Sequence, residues 1–354
     1  MNKLKNFKKY TPYIIVSAAF VLLTILKGLG LVSRSLQGML VPICVYIVMA
    51  LSLNLTVGIL GALSLGHAGF MSVGAFSGVV LSECLNFTGM PGWVRLVLSL
   101  VFGAIFAAFI GFLIGFPVLR LRGDYLAIVT LAFGEIIKEI MTCLLIGVDE
   151  SGLHIIFNVT GTKTVDDLML SETGKVIIKG AQGATGTDTI ANFTMGFILI
   201  MITLAFILNL INSKSGRAIM ALRDNEIAAE SVGVDVTKYK MMAFVISAAF
   251  AGAAGALYGL NYSNLIASKF DFNTSILVLV FVVLGGLGNM TGSIIAATIL
   301  TVLPEALREF ASYRMLIYAI VLIVVMIGSN NAQVKTMLKK LIPSQLRNKK
   351  GGAQ

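Results

Sequence analysis

Two histidines, His67 and His154, and three cysteines, Cys44, Cys84 and Cys143, are the whole supply of imidazole and thiol in this chain. A zinc centre or a histidine-based hydrolase needs such groups in close sets, as in H-E-x-x-H, G-x-S-x-G or paired cysteines. None of those spacings occurs. The cysteines lie in or beside apolar runs and are odd in number, so they read as small packing residues rather than a disulfide framework. A phosphate-cradling G-x-x-x-x-G-K-[ST] loop is missing as well: Gly174-Lys175 is followed by Val176 and lacks the earlier glycine. The chain therefore offers no catalytic residue, no metal site and no cofactor site of its own, and reads as a conduit. Its remaining polar chemistry sits inside apolar stretches. Ser64, His67 and Ser72 fall in one such run, and Gly285, Gly286 and Gly288 interrupt another. Hydroxyls, an imidazole and bared backbone can hydrogen-bond a passing solute. The same groups serve as interhelical glue and close-packing positions, and both readings stand at this point.

The longest polar helix-forming stretch is 212–240, NSKSGRAIMALRDNEIAAESVGVDVTKYK. Asp224 or Asn225 can cap a short helix, Glu226 favours its first turn, and Gly233 can end it in the left-handed conformation. Ala228, Ala229 and Ser231 form a small face, with Ile227 and Val232 beside it and Arg223 and Glu230 flanking, which suits insertion into a groove. The segment resembles the "EAA" loop of ABC-importer permeases, whose short helix docks on a separate ATPase. Here the core is Ile227-Ala228-Ala229 followed by Gly233, with Glu226 one position ahead of the family's glutamate. An ordinary solvated loop is the competing reading.

Only 12% of the residues are charged and 57% are hydrophobic, against roughly 25% charged in soluble domains. Runs of about 20 apolar residues recur, enough to span a bilayer, and the short alternating segments of a β-barrel do not. The fold class is an all-α polytopic membrane protein, a single membrane domain over 1–354. Candidate spans fall at 12–32, 37–58, 61–82, 93–118, 124–146, 191–211, 240–260, 273–287, 290–306 and 314–329. The net charge of +10 is not a nucleic-acid patch. Lys3, Lys5, Lys8 and Lys9 precede the first span, and Lys335, Lys339, Lys340, Arg347, Lys349 and Lys350 lie in a basic tail at 330–354. By the positive-inside bias both termini are cytoplasmic. Breaking 273–306 at Gly285-Gly286-Leu287-Gly288 gives about ten spans and keeps the tail inside. The loop 212–240 is then cytoplasmic and 147–190 external.

The external segment is acidic, polar and rich in glycine and threonine, as in GAQGATGTD; it is read as a solvated excursion or a docking surface. Within the fifth span, Glu135 and Lys138 stand three apart and can pair on one helix face, a structural role first. A faint internal echo lays 57–64, VGILGALS, over 284–291, LGGLGNMT. Glycine-interrupted helices at matching places suit a transporter with repeats. Close packing explains them nearly as well, since Gly74/Gly78, Gly111/Gly115, Gly255/Gly259 and Gly288/Gly292 are GxxxG pairs.

Four long stretches together resemble LivM-type branched-chain amino acid permeases: LSLNLTVGILGALSLGHAGFMSVGAF (51–76), LRLRGDYLAIVTLAFGEIIK (119–138), GRAIMALRDNEIAAESVGVDVTKYKMMAFVISAAFAGAAGALYG (216–259) and LVLVFVVLGGLGNMTGSIIAA (277–297). Order and spacing match over about 37–328. In two places the chain departs from the family: an arginine-proline-glycine-leucine ending is replaced by Ile327-Gly328-Ser329-Asn330-Asn331, and extra residues enter around 150–180. The resemblance implies a permease of the LivH/LivM type in a bacterial plasma membrane. It implies a second, LivH-like permease, two cytoplasmic ATPases that bind the ATP, and an external amino-acid-binding protein as partners. Leucine, isoleucine and valine are the implied substrates. Urea, short amides or another small solute is the alternative within the ABC class, and an ion-coupled secondary transporter the alternative outside it.

Overall fold

A computed structural model describes residues 2–30, 33–121, 123–149, 152–158, 164–171 and 174–307, with positions 319, 320 and 323 in isolation. The expected span at 314–329 and the tail 330–354 otherwise lie outside the described residues. Residues 1–298 cluster as one compact unit and 299–354 as a second.

Eleven α-helices carry the described fold: α1 (Asn2–Gly28), α2 (Arg34–Asn54), α3 (His67–Phe87), α4 (Gly92–Val118), α5 (Asp124–Thr142), α6 (Phe193–Asn212), α7 (Lys214–Asp224), α8 (Glu226–Ser231), α9 (Val236–Gly259), α10 (Phe272–Gly285) and α11 (Met290–Ala306). Six are long and apolar enough to cross a membrane: α1, α2 with its extension to Leu60, α3, α4, α6 and α9. The chain is a multi-pass membrane protein. α5 has the length but carries Asp124, Glu135, Lys138 and Glu139. α10 and α11 are separate helices, as the glycine break implies, yet the 14 residues of α10 rise only about 21 Å, short of the ~30 Å hydrocarbon core. α10 by itself is shorter than a full crossing.

α2 is buried along nearly its whole length, whereas α4 turns Phe109, Leu113 and Phe116 outward. Around α2, the helices α3, α4 and α9 meet through small residues. A Cβ added at Gly74 would fall on the carbonyl of Gly252, one at Gly255 on the carbonyl of Met71, and one at Gly78 2.7 Å from the Cβ of Ala256. Gly74, Gly255 and Gly259 thus meet neighbouring backbone directly, whereas Gly111 and Gly115 make room for the side chains of Ala248, Met241 and Phe244. The Gly288/Gly292 pair is not a helix seam, because Gly288 precedes α11 in a turn with φ 78°.

The expected external loop differs most from the structure. Five antiparallel strands, β1 (Leu144–Asp149), β2 (Gly152–Phe157), β3 (Lys175–Lys179), β4 (Ala184–Thr185) and β5 (Asn264–Leu265), form one sheet in the order β2-β1-β3-β4-β5. β1 follows α5 almost directly, so the fifth helix stops at Thr142 rather than 146. Ion pairs and a hydrogen bond tie the sheet region to the bundle. Lys175 Nζ lies 2.8 Å from the buried Glu83 of α3, and Asp188 accepts from Arg95 (2.9 Å) and Asn86 (3.0 Å). The GAQGATGTD element therefore acts as a clasp through its last residue.

Candidate functional site

Short side chains set each joint of the 212–240 segment. Ser213 caps α7 by accepting from Gly216 N (3.1 Å), and Asp235 caps α9 by accepting from Lys238 N (3.0 Å). Of the two candidates for α8, Asn225 is the cap: its Oδ1 accepts from Ala228 N at 3.0 Å. Gly233, at φ 86°, closes the other end, with Gly233 N donating to Glu230 O and Val234 N to Ala229 O. That pair of bonds is a Schellman motif. Glu226 is tied back to α9 through Lys240 at 2.7 Å. A one-residue joint at Asn225, a capped four-residue turn at 232–235 and the Lys240 tie leave α8 little freedom to turn on its own axis.

Its orientation corrects one expectation. Ala229 is 4% exposed and faces the chain's own helices, so it is no part of an outward small face. A six-residue helix gives no periodicity to fix its rotation, and here α7 and α9 cover the Ala229 side. Outward lie Ile227 (71% exposed) and Val232 (79%), with Ala228, Glu230 and Ser231. Asp224 and Asn225 are exposed at the joint. Arg223 is exposed as well, but its Nη1 reaches back and donates to the carbonyl of Gly58.

Gly58 lies in a π-helical turn, Leu55–Leu60, that prolongs α2 and ends at Gly61 with φ 79°. Residues 61–66 then run without helix until α3 starts at His67, six residues later than the expected span at 61–82. Across from this break lies the other one, with Gly286 at φ 93° and Gly288 at φ 78°. The two stretches of the sequence echo thus touch. Asn54 joins them: its Oδ1 accepts from Gly288 N (2.8 Å) and its Nδ2 donates to Ser293 Oγ (2.9 Å). Asn54 is fully buried and was not among the sequence candidates. The signal was present, as a lone amide inside the apolar run LSLNLTVG.

The solute-side candidates separate. His67 is 2% exposed, with Nε2 2.8 Å from Ser52 Oγ. Ser52 also reaches Met49 O at 2.9 Å. One hydroxyl proton cannot serve both; when Met49 O takes it, His67 Nε2–H is the donor to Ser52. His67 thus joins α3 to α2 through Ser52. Ser64 and Ser72 are buried, and neither hydroxyl has a partner among the described residues. Ser64 belongs to the non-helical segment, where Leu65 N is held by Thr130 Oγ1 (3.1 Å) of α5. Gly285 packs against Gly292 and Ser293, and Gly286 and Gly288 supply the positive φ angles of the turn. Glu135 pairs with Lys138 and accepts from Phe272 N (3.1 Å), so the pair fixes the start of α10. A cleft of about 410 Å³ between α3, α4, α5 and the sheet is lined by apolar groups such as Phe76, Phe102, Ile140 and Leu153 and by no charge. It does not match a zwitterionic solute.

Residues 35–327 match the family described as the branched-chain amino acid transport system permease component. The chain belongs to that permease family. This permease is similar to the high-affinity branched-chain amino acid transport system permease protein LivM of Escherichia coli (strain K12), at 36% identity over 312 residues, 84% of this chain and 69% of the relative. A probable LivM of Methanocaldococcus jannaschii is 28% identical over 70% of this chain and 74% of its own. The E. coli LivH permease is 22% identical over 75% and 82%. No solved structure matches the permease.

Proposed function

We propose that this permease is one of two membrane subunits in an ATP-driven importer of leucine, isoleucine and valine. Its partners are a LivH-like permease, two cytoplasmic ATPases that bind and hydrolyse the ATP, and an external amino-acid-binding protein. It sits in a bacterial plasma membrane with both termini in the cytoplasm, consistent with Lys3 to Lys9 before α1 and the basic tail.

The observation that carries the reading is α8. A helix of six residues, capped at both ends and tied to α9, presents Ile227 and Val232 to the surroundings at the end of the bundle where two broken helices meet. Exposed branched side chains on a fixed short helix suit a groove on a soluble partner. Closure of the ATPase dimer on ATP displaces α8, and the helix breaks beside it reorganise. The solute path between the two permeases then changes from outward- to inward-facing. Backbone bared along 61–66, with the Ser64 hydroxyl, supplies polar groups along that path.

The test is uptake of labelled leucine, isoleucine, valine and urea by cells carrying the whole importer, with and without P-loop mutations in both ATPases. Leucine uptake that vanishes with the ATPases inactive supports the proposal. Uptake that persists on an ion gradient, or urea uptake without leucine uptake, overturns it.

A further inference from the structure

Arg223 stands where three parts of the permease meet. It is in the last turn of α7, two residues before the Asn225 cap of α8. Its Nη1 donates to Gly58 O at 2.5 Å, in the turn that ends α2. The carbonyls at a helix C-terminus lack intrahelical donors and carry partial negative charge, so a guanidinium there satisfies both the hydrogen bond and the dipole. The stem of Arg223 also packs beside the break, its Cγ 3.0 Å from where a Cβ on Gly61 would lie. The α10–α11 turn is adjacent: a Cβ on Gly288 would lie 3.4 Å from Arg223 Nη1, and one on Gly58 would fall on Gly288 N. One helical turn earlier, Asn54 holds the same Gly288 N–H. Among the described residues no carboxylate pairs with Arg223, so its charge faces the Gly58 carbonyl.

We infer that Arg223 is the positioning residue that transmits displacement of α7–α8 to both broken helices. The inference rests on the importer function proposed above and goes beyond it by naming the link. α7 and α8 are joined through Asn225 alone, so a push on α8 levers the final turn of α7. The guanidinium then draws on the end of α2, and through the Gly58–Gly288 contact the α10–α11 turn follows. Without the donor, α8 still docks and ATP is still hydrolysed, but the breaks are no longer pulled.

The test uses the complete importer in proteoliposomes, with binding protein inside or outside as orientation requires, and reads leucine moved per ATP hydrolysed. Arg223→Met keeps the stem against Gly61 and removes the donor; Arg223→Lys keeps a donor and the charge. Loss of a charge-assisted bond worth about tenfold in an equilibrium predicts a fall of about tenfold in the ratio for the methionine variant. Recovery to at least half of wild type is expected with lysine. A ratio equal to wild type in the methionine variant overturns the inference, whether both activities stay high or fall together as a merely structural role would have it. Should the methionine variant fail to accumulate, Arg223→Leu, which also carries no donor, is read by the same ratio. A wild-type importer that moves no leucine on ATP would refute the proposed function, whereas a working wild type with an unchanged variant ratio refutes only the role of Arg223.

Discussion

Replacing Ile227 and Val232 together by alanine should weaken ATPase binding without unfolding the permease. Both side chains are largely exposed, at 71% and 79%, so most of their apolar surface remains to be covered by a partner. Burying a branched aliphatic side chain contributes roughly 1.5–3 kcal/mol, and alanine retains one methyl. A loss of about 1 kcal/mol each is a fair figure where the groove covers most of the side chain, and about 2 kcal/mol for the pair corresponds to roughly 30-fold in affinity. Substitutions at exposed positions usually change stability by about 0.5 kcal/mol or less, so the thermal midpoint in nanodiscs should stay put. Ala229→Arg makes the contrast. That side chain is buried against the permease's own helices, and a long cation there should lower abundance before docking can be measured. The assay is titration of purified ATPase onto permease complexes in nanodiscs, with leucine uptake alongside. If the double variant binds within threefold of wild type, the exposed face of α8 is not the contact, and the coupling argument fails.

Asn54→Leu should destabilise the permease by about 2–4 kcal/mol, because the buried Ser293 hydroxyl and the Gly288 N–H each lose a partner; the thermal midpoint checks it. Gly74→Val and Gly255→Val should abolish accumulation, since each side chain would collide with a backbone carbonyl, while Gly38→Ala, with nothing within 4 Å of its Cβ, should accumulate normally; membrane abundance by immunoblot decides. In a cysteine-free background, Thr164→Cys should react with an impermeant thiol reagent on intact cells and Ser344→Cys should not; labelling at 344 would invert the assigned topology.

What could be read from the sequence was what local chemistry decides. Asn225 and Gly233 bound α8 because capping needs only neighbours within four residues, and Gly285–Gly288 breaks α10 from α11 for the same reason. Rotation of α8 was not legible. Six residues make less than two turns, so whether Ala229 or Ile227 faces outward depends on α7 and α9, which are distant constraints on so short a pattern. Arg223 is a similar case, since its partner is 165 residues away. The sheet was overlooked for another reason. Lys175–Lys179 (KVIIK) and Gly152–Phe157 (GLHIIF) are short β-branched runs beside glycines, a recognisable strand signature. They lie in a stretch whose turn-rich character dominated the reading. The Ser52 partner of His67 was not legible, because that hydroxyl looks inert in an apolar run until α2 and α3 are side by side.

The seam between α3 and α9 bears on how any motion is distributed. Where Gly74 meets Gly252 and Gly255 meets Met71, backbone lies on backbone with no side chain between them to change rotamer. Side chains act as bearings between helices, and a contact without them cannot slide by small steps: a shift along the axis drives a carbonyl oxygen into the next Cα. α3 and α9 are thus locked like two ratchet bars with their teeth engaged. They form a stator beside which the helix breaks at Gly61 and at Gly286–Gly288, and the α7–α8 elbow, are set.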